Sequence, residues 1–190
     1  FVMYELIQQP DGRLGTKWMK ELIPDEGEVS QLAEELTEAS SFEIKDQSFL
    51  LSFDVEPEKE NTGRLAIAFS SATGEQDNAC EFQIDLEKLR AQYSKLSEAP
   101  FSAIEKSLRE GGSPSGVGNY AIENLMGTDK PFSVRMLIKS NAKLGGTLID
   151  TEIAGLNTMI TYRNAFTMDR MNFHPEQIRI KNVRIMKMRN

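Results

Sequence analysis

The sequence has one cysteine, Cys80, and one histidine, His174. No intrachain disulfide can form, though a domain with its own core needs none, so this leaves the compartment open. A catalytic thiol needs a nearby base, and metal hydrolases cluster several histidines; one residue of each type supplies neither. Only 13 glycines and 7 prolines occur, too few for a collagen-like or disordered chain. No apolar run approaches the ~18 residues of a spanning helix, and no signal-peptide pattern is present. The chain begins at Phe1, inside what reads as a strand, and is expected to be a mature product or a fragment. Basic residues are outnumbered, 22 against 29, for a net charge of −7. That balance repels phosphate backbones and anionic bilayers, so neither nucleic acid nor membrane is expected as a partner. The basic run Arg179, Lys181, Arg184, Lys187 and Arg189 reads as the solvated face of a strand.

What is abundant is period-two alternation, the mark of half-buried strands. Phe49, Leu51, Phe53 and Val55 oppose Ser48, Ser52, Asp54 and Glu56. Leu65, Ile67 and Phe69 oppose Arg64, Ala66, Ala68 and Ser70, and Cys80, Phe82 and Ile84 oppose Glu81, Gln83 and Asp85. Phe132, Val134, Met136 and Ile138 form another inward set, and Ile149 and Ile153 oppose Asp150 and Glu152. Leu156, Ile160 and Tyr162 read as inward, against Asn157, Met159, Thr161 and Arg163. The last run, from Ile178, changes phase near Lys181-Asn182, which predicts a bulge. Turn chemistry at Asp11-Gly12, 57–63, 71–74, 127–131, 141–146 and Ala154-Gly155 separates the runs.

This pattern predicts an all-β fold: two antiparallel sheets packed face to face as a sandwich, with one short helix. The helix is expected over about 102–110, where Ser102 and Glu105 have capping-box spacing. Residues 85–88 are expected to turn between strands 80–84 and 89–94, while 28–37 fits either helix or strand. Residues 1–23 read as a junction segment with the first strands and 24–190 as the sandwich domain, with Pro24-Asp25-Glu26-Gly27 as the connector.

Few side chains point to chemistry. The glycine-rich stretch 111–118 lacks the Lys-Ser or Lys-Thr pair of a phosphate-binding loop, since Asn119-Tyr120 follows it. His174-Pro175 reads as a loop residue pair before the last strand. Asp150 and Glu152 share a strand face about 7 Å apart, a spacing that fits a glycosidase pair, a structural calcium site, or two solvated carboxylates. Solvation is the reading favoured here, and no cofactor is required. Trp18, Tyr120 and Tyr162 are the aromatics available to stack on a sugar, with Tyr162 expected in the core and Trp18 expected at an interface.

Two stretches resemble a known family. Tyr4-Glu5-Leu6-Ile7-Gln8-Gln9-Pro10-Asp11-Gly12-Arg13-Leu14 is similar to the junction where a five-bladed propeller glycosidase leaves its catalytic domain. Val134-Arg135-Met136-Leu137-Ile138, followed by Gly146 through Arg163, resembles the late strand pair of the sandwich in family 32 glycoside hydrolases. The matching spans, about 1–23 and 132–190, cover under half of the chain. The resemblance implies a concanavalin-like, jelly-roll sandwich placed C-terminal to a propeller, in an extracellular or periplasmic protein of polysaccharide degradation. The propeller's motifs Asn-Asp-Pro-Asn-Gly, Arg-Asp-Pro and Glu-Cys do not occur, so no catalytic residue carries over. The family's Asp-Arg-Ser-Ser-x-Glu run is present only as Leu148-Ile149-Asp150-Thr151-Glu152.

The expectation is therefore an accessory domain without catalysis of its own, docked on the upstream catalytic domain of the same parent chain and in contact with carbohydrate as its ligand. A free-standing lectin-like module, or a small hydrolase using Asp150 and Glu152, stand as alternatives. Trp18, Asp150, Glu152, Tyr162 and Arg163 are the candidate ligand-binding residues, and Trp18-Met19-Lys20-Glu21-Leu22-Ile23 the candidate docking patch.

Overall fold

The structure is a computed structural model that describes residues 3–23, 27–71, 79–96, 99–102, 121–141 and 145–188. Its described residues form fourteen strands in two six-stranded sheets and one hairpin. The hairpin pairs β1 (Tyr4–Gln8) with β2 (Leu14–Trp18), and a 3-10 turn follows at Lys20–Leu22.

The first sheet runs β12 (Asn157–Asn164), β11 (Gly146–Ile153), β10 (Phe132–Asn141), β5 (Ser48–Pro57), β14 (Ile178–Lys187), β3 (Val29–Leu36). The second runs β4 (Ser40–Glu43), β13 (Arg170–Glu176), β6 (Arg64–Ser70), β7 (Cys80–Asp85), β8 (Arg90–Lys95), β9 (Ala121–Glu123). Every pairing is antiparallel. The sandwich expected from the alternation is what forms.

The two sheets face each other across one core. Phe49, Leu51, Phe53 and Val55 of β5 and Val134, Met136 and Ile138 of β10 meet Leu65, Ile67, Phe69, Phe82 and Tyr93 of the other sheet. Phe173 sits between Phe42 and Phe53 with both rings edge-on, at 5.8 and 5.7 Å, an arrangement that matches the charge distribution of aromatic faces and edges. Cys80 is a fully buried member of this core, as its run predicts. Residues 86–89 turn between β7 and β8, one position on from the expected 85–88, and 28–37 resolves as strand β3. The phase change in β14 is a bulge: its register shifts between Lys181 and Arg184, with Asn182 at φ 56.

Three expectations are corrected. His174 and Pro175 lie inside strand β13 rather than in a loop. β12 has the opposite phase: Asn157, Met159, Thr161 and Arg163 are buried, while Ile160 and Tyr162 are exposed. Its register against β11 decides this, because Thr161 and Arg163 pair with Ile149 and Thr147, which face the core. The outer face of the second sheet is also covered rather than solvated. Ala66 packs under Phe101, and Gln83 and Gln92 are buried in a chain of side-chain hydrogen bonds running from Arg90 to Glu81. The predicted helix beyond Ser102, the glycine-rich stretch 111–118, Tyr120 and the connector residues 24–26 lie outside the described residues.

Candidate functional site

The hairpin forms where the sequence places its turn. Gly12 takes φ +88, and the Asp11 carboxylate accepts both the backbone N–H and the Nε–H of Arg13. The pairing Tyr4↔Trp18, Leu6↔Thr16 and Gln8↔Leu14 puts Tyr4, Leu6, Leu14, Thr16 and Trp18 on one face. That face is laid on the outer surface of the first sheet, at its β12 edge. Thr16 N–H donates to the Leu156 carbonyl at 2.9 Å, and Thr158 N–H donates to Thr16 Oγ1 at 3.1 Å. Gly15 permits this approach, since a Cβ there would lie 2.7 Å from the Leu156 carbonyl oxygen. Edge-strand hydrogen-bonding groups that would otherwise invite another chain are thus partly covered.

Beneath the hairpin lie Asp150 and Glu152 of β11. The prediction that they form a solvated pair is corrected: Asp150 is 0% exposed and Glu152 is buried beside it. All four carboxylate oxygens accept protein hydrogen bonds. Trp18 Nε1–H donates to Asp150 Oδ1 at 2.9 Å and Tyr4 O–H to Asp150 Oδ2 at 3.0 Å. Trp18 backbone N–H donates to Glu152 Oε2 at 2.6 Å, and Arg135 of β10 forks onto Glu152 Oε1 through Nε and Nη2. The Arg135 guanidinium also lies 5.2 Å from the Trp18 ring centre, within cation–π range. Two carboxylates share one guanidinium, so the cluster is short of one positive charge. Burial pushes the Asp150 carboxyl up, the bonds from Trp18 and Tyr4 hold it down, and the neighbouring Glu152 raises it further.

All four oxygens thus serve to clasp the hairpin onto the sheet. Among the described residues no group of three or more His, Cys, Asp or Glu is arranged to hold a metal ion. Trp18 is corrected as well: it is 4% exposed, packed with Leu50 and Leu137 and flanked by Ile23, Met186 and Met188. Of the segment 18–23, read as a patch for a partner, Trp18 and Ile23 pack within the chain.

Arg163, expected on the outer face, is buried between the sheets and donates from Nη2 to the Ser94 carbonyl at 3.0 Å. Tyr162, expected in the core, is 45% exposed. Of the five candidate residues, then, Trp18, Asp150 and Glu152 meet in one clasp, Arg163 lies inside the sandwich, and Tyr162 stands on the surface. Arg135 and Tyr4 complete the clasp and were missed as site residues. The cross-strand position of Arg135 against Glu152 was a usable signal, but only once the β10–β11 register is known.

Several large apolar side chains stay exposed outside the clasp. Leu6 is 70% exposed, and with Met3, Leu14, Ile160 and Tyr162 it makes up most of the large exposed hydrophobics among the described residues. Leu6 and Leu14 share the hairpin face that overlies the sheet. Ile160 and Tyr162 share the outer face of β12, where Ile160 pairs with Asp150.

No protein-family model and no curated protein matches this sequence. Solved structures do match in fold. A fructofuranosidase from Schwanniomyces occidentalis complexed with fructosylnystose aligns at TM-score 0.61 and 11% identity, over 98% of this chain and 39% of its own. An exo-inulinase from Aspergillus awamori aligns at TM-score 0.55 and 11% identity, over 98% of this chain and 35% of its own. A galectin from Caenorhabditis elegans aligns at TM-score 0.50 and 11% identity, over 83% of this chain and 97% of its own. The chain therefore spans under two fifths of the two glycosidases it resembles and nearly all of the galectin. The resemblance read from the sequence holds as a likeness of fold: the chain is a concanavalin-like sandwich of the kind found in family 32 fructosidases.

Proposed function

We propose that this chain is the accessory β-sandwich of a secreted, polysaccharide-degrading enzyme, docked on a catalytic domain of the same parent chain and without catalysis of its own. The observation that carries this reading is the exposure of large apolar side chains on the hairpin and on the outer face of the β12 edge strand, Leu6, Leu14, Ile160 and Tyr162. Scattered exposed hydrophobics need no explanation, but a cluster of large ones marks an interaction surface. A docking domain needs such an apolar centre with a polar rim, and Glu5, Lys17 and Arg13 on the hairpin supply rim charges. The likeness in fold to sandwiches that are one part of longer fructosidases supports a partner within the same chain.

The docking patch is thus moved from Trp18 to its neighbours across the clasp. In the parent protein, cleavage between the two domains should leave them co-eluting on gel filtration. Leu6→Glu combined with Tyr162→Glu should separate them while this domain keeps its β-sheet circular dichroism. Co-elution unchanged by those substitutions, or a parent reading frame without a catalytic domain, would overturn the reading.

A further inference from the structure

A cleft of about 330 Å³ opens at the seam between the hairpin and the end of the sandwich. We propose that it is a binding site for a neutral saccharide. The cleft shares Arg13 and Leu14 with the docking surface, but the rest of its lining comes from β9, Asn124, Met126 and the start of β12 rather than from Leu6, Ile160 and Tyr162.

The cleft falls in the size range of small-molecule sites, about 300–1,000 Å³. Its apolar lining comes from Leu14, Ile122, Met126 and Leu156. Its walls are fixed. Asn157 holds the backbone of Met126 from both sides, its Nδ2 donating to the carbonyl at 2.9 Å and its Oδ1 accepting from the N–H at 3.2 Å. Thr16 anchors the facing wall through its bonds to Leu156 and Thr158. A wall ordered before binding reduces the ordering cost of taking up a ligand.

The polar groups left over alternate in sense. Arg13 uses Nε and its backbone N–H on Asp11, which leaves its two terminal nitrogens as donors. Glu123 accepts from Arg90 on Oε1, which leaves Oε2 as an acceptor. Asn124, held at φ 60 on the rim, offers an amide with both functions. The Thr16 and Thr158 hydroxyls lie 2.7 Å apart; their mutual bond consumes one of their two protons and leaves the other to donate.

Charge decides the class of ligand. Arg13 is paired with Asp11 and Glu123 with Arg90, so the rim selects neither an anion nor a cation. Planar guanidinium, carboxylate and amide groups each match a pair of neighbouring hydroxyls, and the apolar lining suits the C–H face of a sugar ring. No aromatic lines the cleft, so binding rests on hydrogen bonds and the apolar lining without stacking.

The test is amide chemical-shift titration of the whole chain with fructose, galactose, lactose and a fructo-oligosaccharide, beside glucuronate and glucose 6-phosphate. Neutral sugars should move the amides of Thr16, Asn124, Asn157 and Thr158 and saturate. Asn124→Gly, which keeps the positive φ, and Arg13→Met should each weaken binding about 3- to 10-fold, the worth of one or two hydrogen bonds. Leu6→Glu should leave it unchanged, whatever it does to docking. Absence of shifts at these amides with every neutral sugar up to about 0.1 M, tighter binding of the charged probes, or Asn124→Gly without effect would overturn the proposal.

Discussion

One residue of the hairpin reaches both carboxylates of β11: Trp18 donates its indole Nε1–H to Asp150 at 2.9 Å and its backbone N–H to Glu152 at 2.6 Å. The side chain and main chain of a single position thus read the i, i+2 spacing of a strand face. The hairpin's attachment combines apolar burial of the indole on Leu50 and Leu137 with charge-assisted hydrogen bonds that only one placement satisfies.

Trp18→Ala should therefore loosen the hairpin, at a cost of about 3–5 kcal/mol in the unfolding free energy. Trp18→Phe keeps most of the packing but leaves Asp150 one donor short, for about 1–3 kcal/mol. Urea denaturation followed by circular dichroism measures both, and equal losses for the two variants would show that packing alone holds the hairpin.

The Arg135–Glu152 contact should couple to Trp18. Glu152→Gln weakens the fork from Arg135 and is expected to cost about 1.5–3 kcal/mol, because hydrogen bonds to charged groups are the stronger kind. Arg135 is partly exposed, which limits the loss when it is truncated instead. A double-mutant cycle between Arg135→Met and Glu152→Gln isolates the pair; a coupling near zero would contradict the clasp.

Asp150 sets a pH dependence of definite sign. Its folded pKa is raised, chiefly by burial, above the ordinary 3.8. The folded state therefore binds this proton more tightly than the unfolded state does. The contribution is full below the unfolded value and is lost as pH rises through the folded one. Asp150→Asn removes this dependence, with the Tyr4 hydroxyl turning to accept from the new amide. The variant should gain on the wild type as pH rises above the ordinary carboxylate value, measured as the difference in urea midpoint at each pH.

Cys80 should be inert while the sandwich is folded. Burial pushes its thiol up to about 11, so the reactive thiolate is scarce as well as shielded. A thiol reagent should label it only at the rate of global unfolding, and fast labelling in native buffer would show that the β7 region opens locally.

Gly15→Ala tests how closely the hairpin lies on the sheet. The added methyl meets the Leu156 carbonyl oxygen at 2.7 Å, so the strand must back away from β12. A loss of about 1–3 kcal/mol is expected, with a red shift in emission from Trp18, the only tryptophan in the chain. Unchanged emission would mean that the displacement stops short of the clasp.

Much of the sandwich was legible in the sequence. β5 and β10 alternate large apolar residues with polar ones, and a strand half buried against a partner sheet requires that pattern. The bulge in β14 was legible for the same reason, because one extra residue inverts the faces beyond it. β12 was misread because Ile160 and Tyr162 look like core residues while Thr161 and Arg163 do not. This edge strand turns its polar side into an interior corner where Thr147, Thr151 and Tyr93 supply hydroxyls.

The candidate site was half legible. Asp150 and Glu152 could be recognised as a pair on one face, and Trp18 as an aromatic without an evident inward side. That the three meet, across more than 130 residues of chain, follows from where the hairpin folds back over the sheet. Composition and alternation determined an all-β sandwich with a buried thiol, since periodicity is a local property of the chain. Which face of β12 turns inward, which carboxylates lose their water and which apolar side chains stay exposed were decided by the tertiary structure. Those depend on which distant surface arrives to cover each strand, and burial belongs to the pair of surfaces rather than to either segment.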